Sequence, residues 1–582
     1  MKVFKDDIFN LADIALEVAE KDPRRTAVIE LQGRDSRGKF RYKHYSYREL
    51  SEDAESVAPG LREIGIAERT RVVFMAPPSY EACVIGLALC RVGATTVWID
   101  TGVGYLNISE RLGRIEIEAF LGIFVAHLGR VIFGWGPRNL RKILVAGKPG
   151  FPGAWSVESL RRKAPEKPLP PSVSPQDPAA ILYTTGSTGP AKPTLYRHKD
   201  FCQLFRQAHR CWGFDAEEEI PVDMAVFPAF LFVPISAGGT MVTPPIDFVR
   251  QGPADVDPRA LLEVINDCGV KTMFGSPVLL DHMGSYALEK GIKAPTLKRI
   301  VGAGDVVTPS IKKKLLEIIS PEGEVLSAYG ATEAMPSTTM EARETLKETA
   351  GRTAAGAGFC VGRPLPGVEI RIMRIVDGPV ETIKETEEAA PGEIGEILVK
   401  GKHVSPFYFR DEAATLKNKI QDDEKGGFWH RFGDTGYLDE QGRLWVCGRV
   451  GHRVRTEAGT LFPLRCEPIF DAHPKVRRSG LVGVPGEKGE IPVICIELEP
   501  RYRRENKTEL ARELLSLAAG NRETEPIKHL LFKSHLPLDP RHNSKIERPL
   551  LARWAAREFK RKAYRCQVPG ARCLARQLCQ LD

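Results

Sequence analysis

Tyr183-Thr184-Thr185-Gly186-Ser187-Thr188-Gly189-Pro190-Ala191-Lys192 is the stretch that decides how this chain is read. It follows an apolar run, Ala179-Ala180-Ile181-Leu182, that predicts a strand. From Thr184 to Gly189 there are four hydroxyls and two glycines, and Lys192 closes the segment. Such a loop can aim backbone N–H groups and hydroxyls at phosphate oxygens, because glycine permits close approach and positive φ. The P-loop of NTPases ends in Gly-Lys-Ser/Thr. Here Lys192 stands between Ala191 and Pro193, so no Mg²⁺-binding hydroxyl follows it. The stretch reads as a phosphate loop of another kind, with a polar surface turn as the alternative for the loop taken alone.

Three more segments extend the pattern. They are Tyr329-Gly330-Ala331-Thr332-Glu333, then Gly433-Asp434-Thr435-Gly436-Tyr437 with Gly448-Arg449 after it, and Asn543-Ser544-Lys545-Ile546-Glu547-Arg548. Together with the loop, and in this order, they resemble the signatures of the adenylate-forming superfamily of acyl-CoA synthetases, adenylation domains and luciferase. Further segments are similar to the olefin-biosynthesis β-lactone synthetases. These include Trp98-Ile99-Asp100-Thr101-Gly102-Val103-Gly104, Phe274-Gly275-Ser276-Pro277 and Asp539-Pro540-Arg541-His542-Asn543-Ser544-Lys545.

The resemblance implies an α/β fold. A large N-terminal domain, 1–450, would carry mostly parallel sheets covered by helices, with an antiparallel subdomain over about 359–450. A small mobile α+β domain, 451–555, would carry the catalytic lysine, and 556–582 would form a basic tail. It implies ATP and Mg²⁺ as cofactors. Thr184, Thr185, Gly186, Ser187, Thr188, Gly189 and Lys192 would hold the phosphates. Gly302, Ala303, Gly304, Asp305, Tyr329 and Gly330 would contact adenine. Asp434 would accept hydrogen bonds from the ribose hydroxyls, and Arg449 would hold ribose or phosphate oxygens. Thr332 would touch the α-phosphate and Glu333 would ligate the metal. Lys545 would reach the α-phosphate and the substrate carboxylate.

The expected reaction is activation of a long-chain 3-hydroxy fatty acid as its acyl-AMP, followed by closure to a β-lactone. Chemistry of this kind must bring a carboxylate in line with a phosphate and neutralise both. Alternatives are a long-chain acyl-CoA ligase, an acyl-AMP ligase serving a carrier protein, or a noncatalytic nucleotide or acyl binder. The chain departs from the family pattern at Pro193-Thr194 after the loop lysine, at Gly451 beside the expected hinge, and at Ser544 before Lys545. The segment 459–467 matches the CoA-tunnel motif of ligases only loosely. The resemblance implies that the run Phe227-Pro228-Ala229-Phe230-Leu231-Phe232-Val233-Pro234 and Met241-Val242 supply apolar lining for the acyl chain, with plain core as the alternative for each.

Composition fits a soluble globular protein with a sizeable core: 582 residues, 42% hydrophobic and 27% charged. The first residues lead into no apolar signal core. Twelve cysteines scattered over this length read as reduced thiols, so the expected location is cytoplasmic. A net charge of +8 is too small to call for nucleic acid. Expected partners are the small acyl substrate and other enzymes of a hydrocarbon or lipid pathway. Much of the positive charge sits at the end, where a solvated tail or peripheral membrane contact are both open readings. No transmembrane segment is expected.

Alternating helix and strand patterns fill the first half, the rhythm of parallel βαβ units. A helix beginning near Leu50 is expected to kink or split at Pro59. The apolar stretch 120–135, flanked by Arg and Lys, reads as a buried helix, with lipid contact the alternative. His198 and His452 read as structural rather than as proton acceptors.

Overall fold

The computed structural model describes residues 8–99, 104–162, 173–184, 191–215, 220–538 and 545–565, with side chains to 559. The chain forms two compact units. One comprises Met1–Ala342, Pro364–Glu369 and Val399–His430; the other comprises Arg343–Arg363, Ile370–Leu398 and Arg431–Asp582.

The first unit is α/β. Its chain runs through β1 (Arg71–Met75), α1 (Tyr80–Arg91), β2 (Thr95–Trp98), α2 (Tyr105–Gly113), β3 (Ala119–Gly122), α3 (Phe124–Phe133), β4 (Lys142–Val145), β5 (Pro178–Tyr183) and β6 (Pro193–Arg197). One sheet takes the order β6–β5–β2–β1–β3–β4, parallel from β5 to β4, with β6 antiparallel. Val72, Val73, Phe120, Leu121, Ala180 and Ile181 are fully buried, the near-continuous apolar run of strands covered on both faces.

After α4 (His198–Trp212) come β7 (Val222–Met224), β8 (Thr272–Gly275), β9 (Arg299–Gly302), β10 (Glu324–Ala331) and β11 (Ala334–Glu341). In the second sheet β7 to β10 lie parallel, and β10 turns back antiparallel into β11. Leu280, Met283, Ile300, Leu315 and Val325 are among the residues packed around it.

In the second unit β12 (Phe359–Pro364) and β13 (Phe428–Leu438) each pair antiparallel with β14 (Leu444–Arg449). Beyond them a three-stranded sheet joins β15 (Val476–Gly486), β16 (Gly489–Leu498) and β17 (His529–Phe532), with the first pair antiparallel and the second parallel. Helices α5 (Lys507–Ala519) and α6 (Arg548–Arg565) accompany it.

Two expectations need correction. The helix Tyr47–Glu63 runs through Pro59 without splitting. Val57, Ala58 and Leu61, on either side of the proline, are fully buried, and that packing outweighs one missing N–H. The helix within 120–135 is not buried all round. Only Ala126, His127 and Gly129 of α3 are buried, while Val131 and Ile132 are 61% and 68% exposed. An apolar stretch this short does not declare which of its faces will be covered. Among the described residues no helix is long and apolar enough to cross a membrane.

Candidate functional site

The segment expected to hold phosphates connects β5 to β6. Its neck is closed by two hydrogen bonds: Thr184 N–H donates to the Lys192 carbonyl at 3.0 Å, and Lys192 N–H donates to Thr184 Oγ1 at 2.9 Å. Thr185, Gly186, Ser187, Thr188 and Gly189 lie outside the described residues. Pro193 begins β6, where a strand tolerates the missing donor, and its carbonyl accepts from Phe409 N–H at 2.7 Å.

The second edge of β6 receives a short strand from far downstream, Phe407–Tyr408, with Tyr408 opposite Thr194. This pairing brings Tyr408 to Glu333. Glu333 stands in the turn between β10 and β11, and Gly330 is required at its base, because a Cβ there would lie 2.6 Å from the Ala334 carbonyl oxygen. The Thr332 carbonyl accepts from the buried Tyr196 hydroxyl at 2.7 Å. Glu333 Oε1 accepts from the Tyr408 hydroxyl at 2.5 Å, and Ser405 N–H donates to the Glu333 carbonyl at 2.8 Å. The Lys419 ammonium, buried with this group, donates to the Ser405 carbonyl at 2.6 Å. Lys192 Nζ lies 5.1 Å and Lys419 Nζ 5.8 Å from the centre of the Tyr408 ring.

These contacts gather one carboxylate and two ammonium groups around one phenol. Burial pulls Lys419 down to about 7; Glu333 opposes that shift and Lys192 adds to it. Burial first, and then Glu333, push the Tyr408 phenol above its usual range, so it stays a donor. The set can meet a polyphosphate with positive charge and offer one hard oxygen to a cation. Sequence reasoning found Lys192 and Glu333 but missed Tyr408 and Lys419. Neither sits in a local pattern that marks it, since a β pairing over two hundred residues creates their neighbourhood.

At the end of β9, Gly302 is packed so closely that a Cβ would come 2.6 Å from Val307 Cγ2. Ala303 N–H donates to the Gly275 carbonyl, Gly304 takes a φ of +94°, and Asp305 Oδ1 accepts from Val306 N–H at 2.8 Å. Asp305 therefore serves its own turn. Tyr329 is half-buried in β10, opposite Thr338 of β11.

The acyl candidates divide. Phe232, Met241 and Val242 are buried, and Phe232 fills the space left by Gly86 of α1, where a Cβ would meet its ring at 2.3 Å. These are core. Phe227, Phe230, Phe274 and Trp212 instead form one aromatic cluster with an open edge at Phe227, which is 41% exposed.

In the second unit Asp434 and Arg449 are cross-strand partners on β13 and β14, and Arg449 Nε lies 2.9 Å from Asp434 Oδ1. Arg449 also donates to the Phe432 carbonyl at 3.0 Å. The two residues expected at ribose therefore hold each other. Lys545 is half-buried, just before Ile546, which bridges to Leu538. Three residues on, Arg548 anchors the segment through a two-pronged ion pair with Glu467, at 2.5 and 2.8 Å, and a bond to the Leu481 carbonyl. Burial draws His198 down to about 4. Burial, with Arg548 and Arg449 adding to it, takes His452 down to about 3. Both imidazoles are neutral and weakly basic at ordinary pH.

Comparison with known proteins adds a family and two kinds of relative. The profile of the AMP-binding enzyme family matches residues 16–409. An olefin β-lactone synthetase of Stenotrophomonas maltophilia is 35% identical over 95% of this chain and 99% of its own length. Among solved structures, the amide bond synthetase McbA from Marinactinospora thermotolerans is similar with a TM-score of 0.73, at 20% identity, over 94% of this chain and 99% of that one. ATP-bound MatB from Rhodopseudomonas palustris is similar with a TM-score of 0.72, at 21% identity, over 96% of this chain and all of that one.

Proposed function

Because the chain belongs to the AMP-binding enzyme family, we propose that it activates a long-chain 3-hydroxy fatty acid with ATP and closes the acyl-AMP to a β-lactone. The observation that carries this reading is the 35% identity to an olefin β-lactone synthetase across nearly the whole of both chains. In the first step a carboxylate oxygen attacks the α-phosphorus of ATP, the bond to the bridging oxygen breaks, and diphosphate leaves. In the second, the 3-hydroxyl oxygen attacks the activated carbonyl carbon. The bond from that carbon to the AMP oxygen breaks, and AMP departs with release of the hydroxyl proton.

The cluster of Lys192, Tyr408, Lys419 and Glu333 supports a polyphosphate role, with Thr184 and Lys192 fixing the neck of the loop. Mg²⁺ fits this set. Among the described residues there is no cage of three or more His, Cys, Asp or Glu, and Mg²⁺ is usually held by one or two carboxylates plus substrate phosphates. Glu333 would be that carboxylate, held in orientation by Tyr408. When bound, the ion supplies charge neutralisation on the phosphates. Asp434 would exchange its bond to Arg449 for the ribose hydroxyls. Lys545 would serve the first step, where two anions must be brought together. The weakly basic His198 and His452 are unsuited to taking the hydroxyl proton. Domain closure would hinge near Gly451, between the proposed 1–450 and 451–555 domains.

The test is incubation with ATP and a 3-hydroxy fatty acid in the absence of CoA. AMP, diphosphate and a β-lactone in equal amounts are expected. A product that forms only when CoA or a carrier protein is supplied would overturn the reading.

A further inference from the structure

Helices α2 and α3 present an apolar surface that nothing in the reaction uses. Of the seventeen large apolar side chains exposed among the described residues, seven lie here: Tyr105 and Leu106 on α2, and Val125, Leu128, Val131, Ile132 and Phe133 on or ending α3. Residues 125, 128 and 132 follow helical spacing along one stripe, and 131 flanks it. The opposite face of α3 is small and covered. Ala126, His127 and Gly129 are buried, with His127 Nε2 at 2.9 Å from the Leu144 carbonyl oxygen and the Trp135 ring occupying the space beside Gly129. The helix is held firmly. Trp135 Nε1–H donates to the Tyr105 carbonyl at 2.8 Å, and the rings of Tyr105, Phe133 and Trp135 lie 5.4–6.0 Å apart, joining α2 to the end of α3. The patch is thus a fixed feature of the surface.

We propose that this face docks on an anionic lipid bilayer, with α3 lying in the plane of the interface. The charge around it points to that occupant. No Asp or Glu occurs from Ala119 to Val157, whereas Arg130, Arg138, Arg141, Lys142 and Lys148 do, and Arg138, Arg141 and Lys148 are exposed. An apolar α3 stripe with aromatic edges, followed by cations without carboxylates, suits headgroups of negative charge over an acyl interior, and the one carboxylate on α2, Glu110, is paired with Arg114. The length of the substrate adds a reason, since a long-chain acid partitions into lipid; that clause alone rests on the proposed reaction.

The experiment is co-sedimentation of the full chain with vesicles, without ATP or substrate, so its result does not depend on what the enzyme makes. Vesicles of equal parts phosphatidylcholine and phosphatidylglycerol are compared with phosphatidylcholine alone. Wild type is expected to bind the mixed vesicles more tightly, and less so as salt rises. The variant Leu128→Ser/Val131→Ser/Ile132→Ser should lose about tenfold or more in partitioning. Arg138→Gln/Arg141→Gln should lose the preference for the charged vesicles and keep the weaker binding to neutral ones. Unchanged melting curves would establish that both variants fold. Should the triple variant not fold, the double arginine variant carries the test alone. The proposal is overturned if wild type stays in the supernatant, or if the triple variant binds like wild type. It is also overturned if removal of residues 566–582 abolishes binding, which would assign it to the tail. Wild type that self-associates without lipid, beside a monomeric triple variant, would make the face a protein interface and overturn it too.

Discussion

Replacing Tyr408 by Phe removes a single oxygen from the proposed phosphate site, and the consequence can be worked out. The Tyr408 hydroxyl donates to Glu333 Oε1 at 2.5 Å, and Glu333 is only 7% exposed, so water cannot readily take its place. A hydrogen bond to a charged group contributes about 1.5–3 kcal/mol. At about 1.4 kcal/mol per tenfold, losing it should lower adenylation about 10- to 150-fold in kcat/KM. The loss should also appear as a higher Mg²⁺ requirement, because a carboxylate freed from Tyr408 is less well aimed. The assay is exchange of labelled diphosphate into ATP, with the acid present, over a range of Mg²⁺ concentrations. Glu333→Ala should fall further, and the double variant should be no worse than Glu333→Ala alone, since Tyr408 is argued to act through Glu333. A Tyr408→Phe enzyme within twofold of wild type at limiting Mg²⁺ would refute the reasoning. So would two losses that simply add.

Lys545→Ala should block acyl-AMP formation yet leave ring closure from a prepared 3-hydroxyacyl-adenylate close to wild type, since tethered attack can have an effective molarity of ~10⁵ M or more; equal losses in both assays would mean that Lys545 acts in both steps. Arg548→Ala leaves Glu467 buried without its partner, so denaturant unfolding should show a loss of about 3–5 kcal/mol, and adenylation should fall because the Lys545 segment loses its anchor. Asp223 is fully buried and burial pushes it up to about 7, with the Thr272 hydroxyl opposing the shift. Its protonated form is the one the fold favours. The stability it confers is therefore complete below about pH 4 and lost as pH rises through 7. Asp223→Asn should gain on wild type in urea unfolding as pH goes from 5 to 8, and a pH-independent difference would show the carboxyl to be ionised throughout.

The parts of the molecule legible in the sequence are those whose chemistry is local. The loop with its glycines and hydroxyls stands where β5 ends and β6 begins. Tyr329 to Glu333 marks the end of β10, where Glu333 stands, although the return strand β11 has no comparable local signal. Asp434 and Arg449 were named separately, and the register of β13 against β14 makes them partners. Tyr408 and Lys419 were not legible, because a tyrosine and a lysine in a charged segment gain meaning only when Phe407–Tyr408 pairs with β6. The same limit governs α3. Its apolar residues were plain in the sequence, but whether they face a core or solvent depends on β3 and α2, which cover only the small side of the helix.

The most direct measurement follows oxygen atoms. A 3-hydroxy fatty acid carrying ¹⁸O at both carboxylate positions is converted with unlabelled ATP, and the products are weighed by mass spectrometry. Attack of the carboxylate on the α-phosphorus, followed by attack of the 3-hydroxyl on the acyl carbon, predicts that one ¹⁸O leaves with AMP and the other remains in the lactone carbonyl. A lactone that keeps both labels beside unlabelled AMP would mean that the hydroxyl, not the carboxylate, was activated, and would contradict the account.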